Sequence, residues 1–386
     1  MPLFPRLPKG DKGMMISLAQ HENFSHIVTT EDRMIAKPLP GKRGKKSKRV
    51  RLEDIAEACG VSLSTASRAL AREKGVRAEI RQRVLEAAKN ANYVVPTAVA
   101  GQKVIVAASS AAMIDYVRNQ FTLYVLEGLK ERAQALDLEI VTRPIADQSE
   151  ELAVLAEAEQ DEQVAGLLFL TIDDERLLAA TRGFDKPVVL LNSDDPFMRL
   201  SSVTPCNRSS ARLATDHLTD LGHQRILFLM RPGRRTIERR YEGWRDGLLA
   251  KGLPVTDDLL VTVDDWLPEL AIQAMAQRIT KRGLDFTAVL AAGDSLAVGA
   301  MLGIQQKGFS VPGDVSVIGM DDLPQAAFVN PPLTTMHIPM REIGSVALDL
   351  LRDTLSGIPA PPRRVELACK LVVRDSTARA CQTFSR

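Results

Sequence analysis

Cysteine is scarce in this sequence, and its spacing carries no metal or disulfide pattern. Cys59, Cys206, Cys369 and Cys381 lie far apart and form no CxxC pair. That argues against a disulfide framework or a zinc site and fits a reducing cytosol. Long hydrophobic runs are missing as well. No stretch of about 18 consecutive apolar residues occurs, so no segment is expected to span a membrane. The opening residues MPLFPRLPKGDKGMM lack the apolar core of a signal peptide. The chain also lacks GxGxxG after its first strand, a P-loop, GxSxG and any metal-spaced His/Cys set, and so gives no support to an enzyme. Its five histidines, His21, His26, His217, His223 and His337, are scattered. No cofactor is expected. Net charge is only +2, so affinity for nucleic acid would have to come from a local patch.

Such a patch is present in Lys42, Arg43, Lys45, Lys46, Lys48, Arg49 and Arg51. Most runs of this kind are solvated tails, and this one gains meaning only from the helical segment beside it. At 386 residues the chain suits two or three domains. Residues 1–46, rich in Pro, Gly and Lys without a sustained period, are expected to be a disordered extension. Residues 47–93 are expected to form a compact helical domain. Leu52, Ile55, Ala56 and Cys59 fall at i, i+3, i+4 and i+7, one helical face. Gly60 ends that helix and Ser62 caps the next. A third helix runs through EIRQRVLEAAKN, with Ile80, Val84, Ala87 and Ala88 inward.

From Lys103 the pattern changes. The runs KVIVAA, LEIVTR, AGLLFLT, KPVVLLNS, RILFLM, LLVTV, TAVLAAG and VSVIGMD alternate with helical segments. Buried strands between helices predict parallel sheets covered on both faces. Residues 103–376 are too long for one such sheet and predict two lobes, with PPLTTMHI as a late crossing between them. Residues 94–102 form the connection and 377–386 a C-terminal tail. The fold class is therefore α/β, a small all-α domain followed by a two-lobed domain with parallel sheets.

Two helices joined by a Gly-containing turn, with a third behind, make a helix-turn-helix. The second helix leaves Ser62, Ser64, Thr65, Ser67 and Arg68 exposed. Short hydroxyls let a helix sit deep in the major groove of double-stranded DNA and reach phosphates. An arginine there can grip guanine O6 and N7 together. A helical hairpin for protein contact is the plainer alternative.

The stretch RLEDIAEACGVSLSTASRAL, with NANYVVP after it, closely resembles the lactose-repressor (LacI/GalR) family of bacterial regulators. The residues that carry the resemblance are Asp54, Ile55, Ala56, Ala58, Gly60, Val61, Ser62, Thr65, Ala66, Ser67 and Arg68. It implies that Leu63, Ser64 and Arg68 face base edges while Ser62, Thr65 and Ser67 touch the DNA backbone. It continues to about residue 376 through HLTDLGHQRILFL, RRYEGWRDGL, TAVLAAGDSLAVGAM, DVSVIGMDD and PPLTT. That part resembles the family's effector domain, which is similar to periplasmic sugar-binding proteins.

Ligands of open α/β sheets sit beyond the carboxyl ends of the strands. Asn192, Asp264, Asp265, Asp294, Asp321 and Asp322 follow strand runs, and Trp266 follows one too. Carboxylates and guanidinium suit sugar hydroxyls, and an aromatic ring suits a sugar's C–H face. Helix capping is an equally good reading of any one of these acids. The resemblance places Arg240, Trp266 and Asp321 at effector-contacting positions, and Asn192 more loosely. Gly293 stands where many sugar-responsive members carry Asn, and Cys206 takes the usual acidic place before Asn207.

The expected function is a cytoplasmic repressor that binds an operator as a homodimer or dimer of dimers and responds to a small carbohydrate. The alternatives are a periplasmic-type solute-binding protein and a purine-responsive regulator. One departure bears on mechanism. The resemblance predicts a hinge helix of the form Ala-Arg-x-Leu-x-x-Gly, but Thr97, Ala98, Val99, Ala100, Gly101 and Gln102 stand there instead. A segment this short makes a marginal helix, and Val99 is a small wedge for unstacking a base step.

Overall fold

The structure, a computed structural model, describes residues 52–70, 75–90, 101–110, 113, 120–172, 174–355 and 361–381. The expected extension 1–46, the basic run Lys42–Arg51 and the hinge up to residue 100 lie outside the described residues.

Three helices open the described chain: α1 (Leu52–Ala58), α2 (Leu63–Leu70) and α3 (Ala78–Asn90). Their apolar faces meet in a core of Ile55, Ala56, Cys59, Ala66, Ala69, Leu70, Val84 and Ala88, with Ile80 and Ala87 half-buried at its edge. The turn between α1 and α2 is set by Gly60, whose φ of +60° is costly for a residue with a Cβ. Gly60 N–H donates to Glu57 O and Val61 N–H to Ala56 O, both at 3.0 Å, which satisfies carbonyls that the ending helix orphans. Ser62 Oγ then accepts from Thr65 N–H at 3.1 Å and caps α2.

The remaining chain builds two six-stranded sheets. Strands β1 (Lys103–Ser109), β2 (Glu139–Ile145), β3 (Val164–Leu170), β4 (Val188–Leu191), β5 (Ser201–Pro205) and β11 (Arg364–Leu367) lie in the order β11-β5-β4-β3-β1-β2. Strands β6 (Ile226–Met230), β7 (Leu260–Thr262), β8 (Ala288–Ala291), β9 (Ser316–Asp321), β10 (Thr334–His337) and β12 (Lys370–Val372) lie in the order β12-β10-β9-β8-β6-β7. Every pairing is parallel except β10 with β12. All seven residues of β3 are buried, as expected of a strand covered on both faces.

The N-lobe helices are α4 (Gln120–Leu136), α5 (Gln148–Gln160), α6 (Glu175–Ala180) and, from late in the chain, α11 (Met340–Leu355). The C-lobe helices are α7 (Asn207–Asp220), α8 (Arg235–Ala250), α9 (Pro268–Arg282) and α10 (Asp294–Gln306). Helix α11 packs on α4 at backbone contact. A Cβ added at Gly128 would sit 2.0 Å from Arg341 O, and one at Gly344 2.3 Å from Val125 O. One continuous apolar core runs from that face of the N-lobe sheet into the C-lobe, and a smaller cluster fills the opposite N-lobe face.

The chain passes between the lobes three times: at Cys206 between β5 and α7, at Ile338–Pro339 between β10 and α11, and at Ala368–Cys369 between β11 and β12. The second is the crossing expected from PPLTTMHI. Beyond β12 the chain stays attached to the C-lobe. Ser376 is fully buried, Ala378 N–H donates to Ser316 Oγ at 3.0 Å and Ala380 N–H to Leu221 O at 2.9 Å.

Candidate functional site

The reader helix is amphipathic in a specific sense. Ala66, Ala69 and Leu70 are buried, while Ser62, Leu63, Ser64, Ser67 and Arg68 are exposed and Thr65 is half-exposed. Leu63, at 47% exposure, is a large apolar side chain held out of the core at the first helical position. Ser62 and Thr65 share a side-chain hydrogen bond of 2.8 Å, so both hydroxyls also serve the cap. The helix contains no acidic residue, so nothing on it repels a phosphate.

In the C-lobe, Arg240, Trp266 and Asp321 converge. Arg240 enters from the buried side of α8, and its guanidinium is fixed by acceptors on two edges. Nε donates to Asn207 Oδ1 at 2.7 Å and Nη1 donates to Ala292 O. The remaining approach is to Asp321, whose Oδ1 lies 4.0 Å from Nη1. Asp321 ends β9 with a φ of +139°. A Cβ added at Gly293 would lie 3.4 Å from Asp321 Oδ2 and 3.4 Å from Trp266 Cζ3. Carboxylate, indole and guanidinium therefore surround a position with no side chain. Burial pushes the Asp321 carboxyl up to about 7, with Arg240 pulling the other way and Asp294 adding to the rise.

Asn192 belongs to a second group, at the end of β4 on the N-lobe. It has a φ of +48°, and its carbonyl accepts from Arg234 at the start of α8. Beside it, buried Asp194 accepts from Arg239 Nε at 2.7 Å, with Arg364 at 3.6 Å. Burial opposes ionisation of neighbouring Asp195. Hydrogen bonds from Arg199 and from the amides of Phe197 and Arg199 outweigh it and hold the carboxyl at about 2. Asn192 Oδ1, Ser193 Oγ and Asp194 Oδ1 are buried polar atoms with no protein hydrogen bond. Buried polar atoms are normally paired, so three in succession mark a place built for something else.

The other strand-end acids divide differently. Asp294 is fully buried and accepts from Thr335 Oγ1 at 2.6 Å and Leu323 N–H at 2.9 Å, which ties β10 to the loop after β9. Burial still raises its carboxyl to about 6. Asp322 pairs with Arg374 at 2.6 Å and His337 at 3.0 Å. Asp265 accepts from the Trp266 amide at 2.8 Å and orients that loop, while Asp264 is exposed. The residues that sequence reasoning missed are Asn207, which holds Arg240, Asp194, Arg234 and Arg239, which join the lobes, and Arg364, which braces Asp194 from within the N-lobe. The arginine-rich stretch RPGRRTIERR was the available signal.

Among the described residues no group of three or more His, Cys, Asp or Glu is placed to hold a metal, and no helix is long and apolar enough to cross a membrane. Residues 51–95 match the model of the bacterial regulatory proteins of the lacI family, and residues 215–377 that of the periplasmic binding protein-like domain. The HTH-type transcriptional regulator reg1 of Streptomyces lividans is 33% identical over 347 residues, covering 86% of this chain and 97% of the relative. The structure is similar to that of the transcriptional regulator CelR in complex with cellobiose, with a TM-score of 0.66 and 27% identity over 85% of this chain and 100% of the other. It is also similar to the Lac repressor dimer bound to operator and an anti-inducer, with a TM-score of 0.64 and 28% identity over 86% of this chain and 100% of the other. A capped helix-turn-helix, two parallel-sheet lobes joined by three crossings and a relative matched along nearly its whole length agree, and the chain belongs to the lacI family of bacterial transcription regulators.

Proposed function

We propose that this regulator is a cytoplasmic repressor that binds a near-palindromic operator as a homodimer and alters its operator affinity when a small carbohydrate fills the cleft between its lobes. The observation that carries the reading is the convergence of Trp266, Arg240 and Asp321 on the bare position at Gly293. An indole offers a flat face to sugar C–H groups, and a guanidinium beside a carboxylate offers donors and acceptors to vicinal hydroxyls. The unpartnered polar atoms of Asn192, Ser193 and Asp194 offer more of the same chemistry from the N-lobe. The CelR–cellobiose complex is a carbohydrate complex of a similar regulator. The cleft works by binding rather than by catalysis, because Asp294, the acid closest in kind to Asp321, is committed to Thr335 and Leu323.

A thermal-shift screen of cellobiose, maltose, ribose, hexose phosphates and hypoxanthine tests this. A ligand at about 100 times its dissociation constant stabilises by roughly 2.7 kcal/mol. A shift with hypoxanthine and none with any sugar turns the reading to a purine-responsive regulator. On the DNA side, Arg68→Ala is expected to cost about 1–3 kcal/mol at the cognate operator and less on random DNA. Equal loss on both would make Arg68 a phosphate contact.

The first lobe begins at Lys103, which leaves only Thr97 to Gln102 after Pro96 for a hinge. We infer that operator bending is weak and that the central base pairs matter little. A circular-permutation assay showing a sharp kink that vanishes in Val99→Gly would overturn this.

A further inference from the structure

Two of the four cysteines sit in two of the three passages between the lobes. Cys206 follows β5 and caps α7, while Cys369 lies between β11 and β12. Strands β5 and β11 are parallel neighbours, paired as far as Pro205 with Leu367. Past that point the two passages remain bonded, since Cys206 N–H donates to Leu367 O at 2.8 Å. Neighbouring strands lie about 4.8 Å apart. A diagonal pair one and two residues beyond the last rung falls in the Cα separation of about 4.4–6.8 Å that a disulfide spans. The Cys369 thiol donates to Leu367 O at 3.7 Å, the same carbonyl that accepts the Cys206 amide, so one carbonyl brings the two residues together. Both are free in the structure.

We propose that Cys206 and Cys369 are a redox-active dithiol, which a hydroperoxide closes to a disulfide that staples the first and third passages together. The two sulfurs are unequally equipped for it. Cys206 is half-exposed and Cys369 is buried. Cys369 as a neighbour, with Ser210 Oγ 3.4 Å from Cys206 Sγ, holds the Cys206 thiol well below the ordinary thiol range, while Cys206 as a neighbour and burial push Cys369 up. The N-terminus of the 14-residue helix α7 favours the Cys206 thiolate further. Cys206 is therefore the attacking sulfur and Cys369 the resolving one.

In the first step the Cys206 thiolate attacks one oxygen of hydrogen peroxide, the O–O bond breaks, and the leaving hydroxide takes up the proton that Cys206 released. The products are a sulfenic acid and water. In the second, the Cys369 sulfur attacks the Cys206 sulfur, the S–O bond breaks, and hydroxide leaves with the Cys369 proton as a second water. Two thiols lose two electrons and two protons, and one peroxide accepts them. A thiol reductant reverses the sum. Such a bond in a cytosolic protein is a transient sensor rather than a structural staple. Its position matters, because Cys206 adjoins Asn207, which holds Arg240.

The test uses the full chain carrying Cys381→Ser, which removes the exposed thiol and leaves three. After reduction and removal of reductant, the protein is treated with hydrogen peroxide, denatured and alkylated. Alkylatable thiols should fall from three to one, a non-reducing peptide map should join the Cys206 and Cys369 peptides, and dithiothreitol should restore three. In Cys369→Ser, Cys206 should stop at a sulfenic acid that dimedone traps. In Cys206→Ser, Cys369 should stay alkylatable. Three persistent thiols, a sulfinic acid at Cys206 beside an untouched Cys369, or a cross-link to Cys59 would each overturn the proposal. The peptide map of the parent protein decides the matter even if the Cys369→Ser variant does not fold.

Discussion

The two lobes follow one plan of six strands with helices on both faces, yet they bring unlike chemistry to the cleft. The C-lobe presents an assembled site. Arg240 is fixed by Asn207 and Ala292, and it faces Asp321 and Trp266 across the gap at Gly293. The N-lobe presents a lip instead. Asn192, Ser193 and Asp194 are buried there, and Arg234 and Arg239, at the start of and within α8 of the other lobe, reach across to Asn192 and Asp194. A site whose side chains are fixed in advance spends little conformational entropy on binding. A lip bonded through the opposite lobe exists only when the lobes are closed. Under the proposed function the C-lobe would recognise the ligand and the N-lobe would report it, which is the division of labour that domain closure requires.

The severest test of that division is Arg240→Met. It strips Asn207, Ala292 O and Asp321 of a buried cation at once and should cost about 3–5 kcal/mol of stability in chemical denaturation, with complete loss of the ligand-induced thermal shift. A normal shift in that variant would mean that the C-lobe does not recognise the ligand. Asp194→Ala comes next. It leaves Arg239 without its buried partner and should cost about 1–3 kcal/mol, yet a ligand should still bind the C-lobe, more weakly and with faster release. If Asp194→Ala abolishes binding as fully as Arg240→Met, the lip and the site are one unit and the distinction fails.

The smallest effect is on pH dependence. The folded Asp321 titrates at about 7, above its ordinary 3.8. Between those values the folded chain holds a proton that the unfolded chain has released. The contribution is therefore complete below the ordinary value and is lost as pH rises towards 7. Asp321→Asn removes the loss, so its melting temperature should gain on the wild type between about pH 5 and about pH 8. A gap that narrows instead would show that Arg240 dominates over burial.

All eight apolar runs from Lys103 onward became strands: six are inner strands buried on both faces and so apolar almost throughout, while β2 and β7 are half-exposed sheet edges. Strand β5 was not legible: Ser201, Ser202 and Thr204 dilute the pattern, and it is their placement between β4 and β11 that buries Ser202 and Thr204. Strands β11 and β12 escaped because each is short and pairs with residues far away in sequence. The strand ends marked the acids of the candidate site, but they did not separate their roles. Asp294 and Asp321 both follow apolar strands, and only the position of Thr335, 41 residues on, makes one a brace and leaves the other to face Arg240. Asn207 carried no signal of its own, since its value lies in the arginine 33 residues away that it holds.

The three passages also set an order of assembly on the ribosome. A nascent chain that has reached Pro205 holds five of the six N-lobe strands, but the helix Met340–Leu355 that covers β3, β4 and β5 has not been made. At about 5–20 residues per second the wait is on the order of ten seconds, during which the β3–β5 part of one apolar face has no lid, while the helix Gln120–Leu136 already covers the β1–β2 part. The C-lobe, contiguous in sequence except for β12, emerges nearly complete in the meantime. The contacts that finish the N-lobe are therefore among the longest in sequence, and these close late and slowly. Stalled chains ending near His337 should give a protease-resistant C-lobe beside a cleavable N-lobe, which makes the earlier-synthesised half the later to fold.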